Sequence, residues 1–182
     1  MRTTLLSAAA LSVAALTLTQ LPPATADGIG VSDPADLHHG VDLRSVVVDH
    51  KANNLVVTTT HTNLRETFRS GSGGAVFIDT DPADPGPEYV VVGGYFVGTD
   101  YSLLHTDGFA GSTWGDPVEG SYRMTVDYDK ERVRTRISRE TLGSPEQVRV
   151  AVRVAGTRTD GSSTRRDWLG APRSFTEWVA AD

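Results

Sequence analysis

Hydrophobic and polar residues alternate along most of this chain with the two-residue period of a β-strand. In "QVRVAVRVAG", residues 147–156, the four valines share one face, whereas Arg149, Ala151 and Arg153 share the other. Such alternation is typical of a strand that buries one face in a core. The stretch "SYRMTVDYDKERVRTRIS", residues 121–138, repeats the pattern twice, which predicts a β-hairpin.

Short runs rich in Val and Thr, separated by Gly, Pro, Asn and Asp, are predicted to be strands. They cover residues 43–49, 55–62, 75–79, 89–96, 101–106, 122–128, 133–138 and 147–155. One short helical turn is predicted in "SRETLGSPE", where Ser138 would cap the turn, Leu142 would pack inward and Gly143 would end it. We therefore expect an all-β protein, an antiparallel β-sandwich of the jelly-roll or immunoglobulin-like kind with at most this one helical turn.

The hairpin at residues 121–138 allows two registers that keep its apolar residues on one face. A two-residue turn at Asp129-Lys130 would require a positive φ at a lysine and would place Arg123 opposite Arg136. A four-residue loop over 129–132 would use a type I turn, which most residues tolerate. We therefore predict the second register, in which the paired residues are 128 with 133, 126 with 135 and 124 with 137. Met124 would then be buried, and Arg134 and Arg136 would face outward.

The N-terminus has the features of a secretory signal peptide. Arg2 precedes an apolar run over residues 5–18, and two prolines and Ala24-Thr25-Ala26 follow it. The run is shorter than the roughly 20 apolar residues that a membrane-spanning helix needs. We expect cleavage after Ala26, with the mature chain secreted and free of the membrane.

Residues 27–182 are predicted to form one domain, because a chain of this length can bury a sufficient core by itself. The sequence has no cysteine. Stability must therefore come from packing, with a metal ion as a further contributor, and not from the disulfides that many exported proteins use.

Charge is distributed unevenly between the two halves of the mature chain. Residues 27–120 carry a net charge of −10, and residues 121–182 carry +3. The acidic first half argues against a nucleic acid or an anionic membrane as partner. Four outward arginines, Arg134, Arg136, Arg149 and Arg153, are consistent with a basic face for an anionic glycan or an acidic partner, or with a solvated strand face that discourages edge pairing.

An acidic stretch, "FIDTDPADPGPEY" at residues 77–89, joins two predicted strands. Calcium prefers six to eight oxygen ligands, and Asp79, Asp81, Asp84 and Glu88 would supply several of them. The spacing departs from the EF-hand pattern, and prolines also serve ordinary turns. The sequence therefore leaves open a calcium site at these four residues or a solvated acidic turn.

A second polar group lies ahead of the first predicted strand. It contains Asp33, Asp36 and Asp42, together with His38 and His39. Histidines with carboxylates are common zinc ligands, but adjacent side chains of an extended segment point in opposite directions. A surface segment is therefore favoured here over a zinc site.

Aromatic residues are the remaining candidates for ligand binding. Trp114 lies in the Gly-rich stretch "AGSTWGDP", and Tyr95 and Tyr101 lie close by in sequence. Flat rings with a polar group suit a sugar-binding surface, although cores use them equally. The chain contains no G-x-S-x-G or H-E-x-x-H motif and no thiol nucleophile, so catalysis has no support from a linear motif.

Three stretches carry a resemblance to known proteins: "DLRSVVVDHKANNLVVTTTHTNL", "VFIDTDPADPGPEYVVVGG" and "LGSPEQVRVAVRVAG". Over about residues 36–155 the chain resembles secreted actinobacterial β-sandwich proteins of unassigned function. More distantly, it is similar to DOMON-like and family-9 carbohydrate-binding-module-like domains. The resemblance implies binding of sugars, calcium or haem, and no ligand residue matches position by position. The expected function is a secreted, non-catalytic module that binds cell-wall or environmental glycan and is stabilised by calcium, and the alternative is a small secreted glycan hydrolase.

Overall fold

The computed structural model describes residues 28–37, 42–70, 72–157 and 164–182. Within these ranges the regular structure is almost entirely strand. The strands are β1 (Ile29–Ser32), β2 (Asp42–His50), β3 (Asn54–Thr62), β4 (Gly73–Asp79), β5 (Tyr89–Gly94), β6 (Tyr101–Thr106), β7 (Trp114–Pro117), β8 (Tyr122–Asp127), β9 (Arg132–Ser138), β10 (Gln147–Thr157), β11 (Thr164–Trp168) and β12 (Val179–Ala180).

These strands form two antiparallel sheets that pack face to face. The five-stranded sheet has the order β1-β2-β3-β9-β8. The seven-stranded sheet has the order β11-β10-β4-β5-β6-β7, and β12 pairs with β10. The prediction of an all-β antiparallel sandwich is confirmed. All eight predicted strands are present, whereas β1, β7, β11 and β12 were not predicted because each is short and lacks a clear alternation.

The core lies between the inner faces of the two sheets, as the alternation predicts. Val148, Val150, Val152 and Val154 are all fully buried on the inner face of β10. They pack with inward residues of both sheets in one continuous cluster. Burial of this apolar area, at about 25 cal/mol per Å², is the main force that holds the sheets together.

The β8–β9 hairpin adopts the register that was not predicted. Val126 pairs with Val133, and Arg123 pairs with Arg136. The four-residue loop begins one residue earlier than expected, at position 128, and the positive φ of +51° falls on Glu131 and not on a lysine. Glu131 is held there because its carbonyl accepts a hydrogen bond from the backbone N–H of His61, at 2.8 Å. This tertiary bond offsets the local cost of a left-handed residue.

The face assignment of the hairpin is confirmed although its register is wrong. Met124 is half-buried against the main core, and Val133 and Ile137 are buried. Arg134 and Arg136 are exposed. A shift between the two candidate registers moves a strand by two residues, so each side chain stays on its predicted face.

Three single turns of 3₁₀-helix connect strands, where one helical turn was expected. They span Phe68–Ser70, Gly111–Thr113 and Glu140–Leu142. The last of them is the predicted turn, with Leu142 buried and Gly143 in the left-handed conformation at φ +78°. The predicted cap is wrong, because Arg139 precedes the turn and no side chain caps it.

The predicted signal peptide, residues 1–26, lies outside the described residues. In the ranges given above, none of the helices combines the length and apolar character that crossing a bilayer requires. Both findings leave export and cleavage after Ala26 as predictions from the sequence.

Candidate functional site

The acidic loop between β4 and β5 is a hydrogen-bonded turn. Asp79 is fully buried, and its Oδ2 atom lies 2.6 Å from Nη2 of Arg149 on β10. Burial raises the pKa of Asp79, and the hydrogen bond and charge of Arg149 oppose that rise. Glu88 accepts hydrogen bonds from the backbone N–H of Thr80 at 2.6 Å and from its hydroxyl at 3.0 Å.

The four acids predicted to bind calcium do not converge. Asp81 turns its Oδ1 atom to the backbone N–H of Ala83, at 2.8 Å, and Asp84 is exposed. Among the described residues, one group of three acids brings its ligand atoms within 4.8 Å of one another, and it includes none of these four. In this structure backbone N–H groups, Thr80 and Arg149 bind the carboxylates of Asp79, Asp81 and Glu88, and Asp84 lies exposed apart from them, so calcium binding at these four residues stays a prediction.

The three aromatic residues predicted to bind ligand lie in three different environments. Tyr95 is in the main core, 2% exposed, with its ring edge-on to His61 at 5.5 Å between centroids. An external ligand cannot reach it, so this assignment is wrong. Trp114 is half-buried on the outer face of the seven-stranded sheet. Tyr101 is also half-buried. It is the first residue of β6, at the end of that strand away from Trp114, and its ring centroid is 6.1 Å from that of Tyr122.

The outer face of the seven-stranded sheet is covered by a second, small hydrophobic cluster, which we call the covered face. Its buried centre contains Phe77 from β4 and Ala151 from β10, and half-buried rings from loops and the C-terminal segment pack over them. Trp168 stacks on Phe77 at 5.9 Å between centroids. The covered face also takes in Arg149, whose guanidinium lies 4.6 Å from the ring centroid of Phe175, and Arg153, which lies near the rings of Phe77, Trp114 and Trp168.

The outer face of the five-stranded sheet, which we call the open face, has no such cover. It presents the exposed residues Arg123 and Thr125 on β8, and Arg134 and Arg136 on β9. Arg136 donates a hydrogen bond from Nε to Oδ1 of Asn54, at 3.0 Å. Within the described ranges, none of the three arginines forms an ion pair with an acidic side chain. The four arginines predicted to share one face are therefore divided, two on each sheet.

The open face continues into a groove at the β8 edge of the sandwich. A cavity of about 310 Å³ is lined by Asn54, Ser121, Tyr122, Arg123, Arg136 and Ser138. Tyr122 also lines a neighbouring cavity of about 470 Å³, which contains Tyr101. We call the surface formed by Tyr101, Tyr122, Arg123 and Arg136 the arginine–tyrosine groove.

Arg123 is the groove residue that the sequence analysis did not single out. The signal was present in the rejected hairpin register, which places Arg123 opposite Arg136. That register was rejected partly because it pairs two like charges, which is unfavourable in isolation. The structure has this pair on the open face.

The second predicted group of metal ligands is partly brought together. Asp33 and Asp36 approach each other, and Asp167 of β11 joins them. Asp42 instead accepts hydrogen bonds from the N–H groups of Asp36 and Leu37 and forms an ion pair with Arg44 at 3.3 Å. His38 and His39 lie outside the described residues, so the zinc site that was considered less favourable than a surface segment has only carboxylates in the part of the chain that the structure describes.

Comparison with known proteins gives this chain no family. No family model matches it, and no curated protein matches it either. The resemblance to carbohydrate-binding sandwiches therefore remains an expectation from the sequence, and the function must be argued from the surface itself.

Proposed function

We propose that this domain is a non-catalytic binding module for an anionic glycan of the cell wall or the environment, which it holds in the arginine–tyrosine groove. The observation that supports this most directly is the cross-strand pair of Arg123 and Arg136. Both side chains are exposed, and neither has an acidic partner among the described residues.

Two like charges directly opposite each other on a sheet are destabilising, by a few tenths of a kcal/mol to about 1 kcal/mol. An anion bound between the two arginines would attract both of them and so offset their repulsion. The planar guanidinium group suits carboxylate, sulfate and phosphate groups because it can donate two parallel hydrogen bonds to them. The pair is also a local concentration of positive charge on a chain whose net charge is −6.

The tyrosines favour a glycan over a small free anion. Tyr101 and Tyr122 are half-buried, with their rings edge to face at 6.1 Å between centroids, and Tyr122 lines both the cavity of the arginines and the cavity of Tyr101. Sugar rings pack on aromatic surfaces through their C–H faces, and the phenolic group is available for hydrogen bonds. An acidic sugar unit would meet both kinds of group within one groove.

Binding without catalysis is proposed because, among the described residues, no carboxylate or histidine lines the cavity of Arg123 and Arg136, whereas the two acidic residues of the groove region, Asp100 and Glu119, line the neighbouring cavity. The cavity that contains Arg123 and Arg136 is otherwise lined by Asn54, Ser121, Tyr122 and Ser138. A serine becomes a nucleophile only with a general base beside it. The predicted export of the chain would bring such a module to extracellular polymers.

Affinity electrophoresis through gels that contain polygalacturonate tests the proposal, with a neutral dextran gel as reference. We expect retardation in polygalacturonate alone, and we expect it to weaken as salt is added because exposed charges are screened. The Arg123→Thr/Arg136→Thr variant should lose the retardation. The matched control is Arg166→Thr, which removes an exposed strand arginine from the other sheet.

Each other result in this assay contradicts the proposal in a distinct way. If the double variant loses no more retardation for each charge removed than the Arg166→Thr control does, only net charge matters. Stronger binding to double-stranded DNA than to polygalacturonate would point to a nucleic-acid partner. Release of reducing ends from the polymer would assign the domain to the hydrolases instead.

A further inference from the structure

Three carboxylates from distant parts of the chain meet at one edge of the sandwich. Asp33 follows β1 of the five-stranded sheet directly, Asp36 lies three residues later, and Asp167 belongs to β11, the edge strand of the seven-stranded sheet. One oxygen of each carboxylate lies within 4.8 Å of the others. We call this group the acid triad, and it lies where the two sheets meet.

The buried members of the acid triad are bound to the backbone of the opposite sheet. Oδ1 of Asp33 accepts a 2.6 Å hydrogen bond from the N–H of Gly170, which follows β11. Oδ2 of Asp167 accepts a 2.8 Å hydrogen bond from the N–H of Leu43 on β2. These crossed bonds fix the carboxylates of Asp33 and Asp167 in place, and Asp36 is the exposed third member.

One oxygen of the acid triad has no partner within the part of the chain that the structure describes. Asp33 is only 5% exposed, and its Oδ2 atom is buried without a hydrogen bond. A buried acceptor that is left unpaired carries a desolvation cost, and a charged one carries more. Such groups are rare in folded proteins unless an ion or water completes them.

The local charge balance points to a cation as the missing partner. Asp33 and Asp167 are both buried, and a carboxylate oxygen of Asp36 lies within 4.8 Å of an oxygen of each. Arg44 is a nearby cation, and it forms an ion pair with Asp42. Three carboxylates thus share one site with little compensating positive charge.

We propose that Asp33, Asp36 and Asp167 hold a calcium ion that joins the two sheets at this edge. An all-oxygen set of carboxylates suits a hard cation and not zinc, which prefers nitrogen and sulfur. Two oxygens on one calcium ion lie at most about 5 Å apart, since each bond is about 2.3–2.6 Å, whereas the limit for magnesium is about 4.2 Å. The three carboxylate oxygens, all within 4.8 Å of one another, fit this span for calcium. Calcium is preferred over magnesium because magnesium keeps several waters and is seldom held by a set of protein ligands alone.

The exposed side of the site gives the ion an entry path. Asp36 is exposed, whereas Asp33 and Asp167 are 5% and 6% exposed. Calcium needs six to eight oxygens, so water would complete its shell on the side of Asp36. This arrangement is independent of the arginine–tyrosine groove, and either proposal can fail without the other.

Calcium-dependent thermal unfolding of the full chain, with and without a chelator, is the first test. The midpoint should rise with calcium concentration, as mass action requires for a ligand of the folded state, and magnesium should have a smaller effect. Asp36→Asn should weaken calcium binding at least about tenfold, because even outer-shell partners of a metal cost about 10- to 100-fold when removed. Since Asp36 is exposed, this variant should fold.

Terbium luminescence provides a second readout that does not depend on stability. Terbium replaces calcium at oxygen sites, and Trp168 is the expected sensitiser because it is the next residue after Asp167, to whose Oδ1 its backbone N–H donates a hydrogen bond at 2.8 Å. Luminescence should appear with the wild type and with the control Asp84→Asn, should be displaced by calcium, and should be strongly reduced in Asp36→Asn.

Two outcomes would overturn the calcium site. If calcium and terbium have no effect on the wild type, a proton shared within the acid triad neutralises it and no cation binds. If Asp36→Asn responds to calcium like the wild type, or if Asp84→Asn alone loses the response, the ion binds elsewhere, in the second case at the acidic loop.

Discussion

The two outer faces of the sandwich have similar sequence patterns and opposite structures. On β9, Arg134 and Arg136 alternate with buried residues, and both remain exposed on the open face. On β10, Arg149 and Arg153 alternate with buried valines in the same way, yet both are drawn into the covered face. The difference comes from other segments, because loop and C-terminal rings cover β10 and no segment covers β9 within the described structure.

This comparison separates two uses of arginine in one molecule. On the covered face, each arginine packs over aromatic rings, and Arg149 also neutralises the buried carboxylate of Asp79. On the open face, Arg123 and Arg136 repel each other and have no acidic partner among the described residues. Arginines of the first kind are bound within the fold, and those of the second kind are the ones to which we assign ligand binding in our proposal.

The largest expected effect is the loss of Arg149. Arg149→Ala should lower the free energy of unfolding by about 3 kcal/mol near neutral pH, because it leaves the Asp79 charge buried and unpaired. Arg136→Ala on the open face should change it by less than about 0.5 kcal/mol. Urea denaturation of both variants measures the difference, and equal losses would contradict the distinction between the two faces.

Variants at Trp114 and Tyr101, both predicted to bind ligand, should differ in the same way as variants at Arg149 and Arg136. Trp114→Ala removes a half-buried ring of the covered face and should cost about 2 kcal/mol, less than the 3–5 kcal/mol typical of a fully buried aromatic residue. Its retardation by polygalacturonate should not change. Tyr101→Ala should show the reverse, with weakened retardation and a smaller loss of stability. Thermal unfolding and affinity electrophoresis of both variants are the measurements.

The pH dependence of the Arg149→Ala variant sharpens the account of the covered face. Without Arg149, the strongest opposition to burial is lost and only backbone hydrogen bonds still lower the pKa of Asp79, so it rises further above the usual 3.8. A carboxyl group whose pKa is higher in the folded than in the unfolded state binds more protons when folded, so the variant loses stability as the pH rises through that range. Its deficit relative to wild type should therefore be larger at about pH 7 than at about pH 4.

Denaturation at several pH values would measure this change, which should be on the order of 1–2 kcal/mol because an adjacent arginine typically lowers the pKa of an aspartate by about 1–3 units. A deficit that is independent of pH would contradict the assignment. It would show that Arg149 stabilises the covered face by packing on Phe175 and Trp178, and not by compensating Asp79.

The sequence predicts the faces of the strands well because alternation reports which side of a strand is buried. The four inward valines of β10 and the inward set of the β8–β9 hairpin illustrate this. Alternation does not report what lies over the other side. The cover provided by Phe109 and Phe175 comes from segments without strand periodicity, so the burial of Arg153 could not be predicted.

The candidate sites were harder to predict for the same reason. The acid triad joins Asp33 to a strand more than 130 residues later, a contact that only the packing of two sheets creates. The loop acids, by contrast, are close in sequence and yet do not converge, because Asp79 faces Arg149 and Glu88 faces Thr80. The predicted hairpin register is wrong because the hydrogen bond from His61 to Glu131 is a tertiary contact, which the local sequence does not reveal.

The smallest expected change is the most informative about function. Arg123→Thr removes one member of the like-charge pair with Arg136 and puts a residue with high strand propensity in its place. It should raise the free energy of unfolding by about 0.5 kcal/mol, within the range measured for cross-strand pairs, and it should also weaken retardation by polygalacturonate. Added salt should reduce the stability gain, because it screens the repulsion in the wild type.

A variant that is more stable but binds less well would mean that the open face retains a repulsive pair for its ligand. If Arg123→Thr is instead less stable than the wild type, Arg123 contributes to the fold as Arg149 does, and the contrast between the two faces no longer holds.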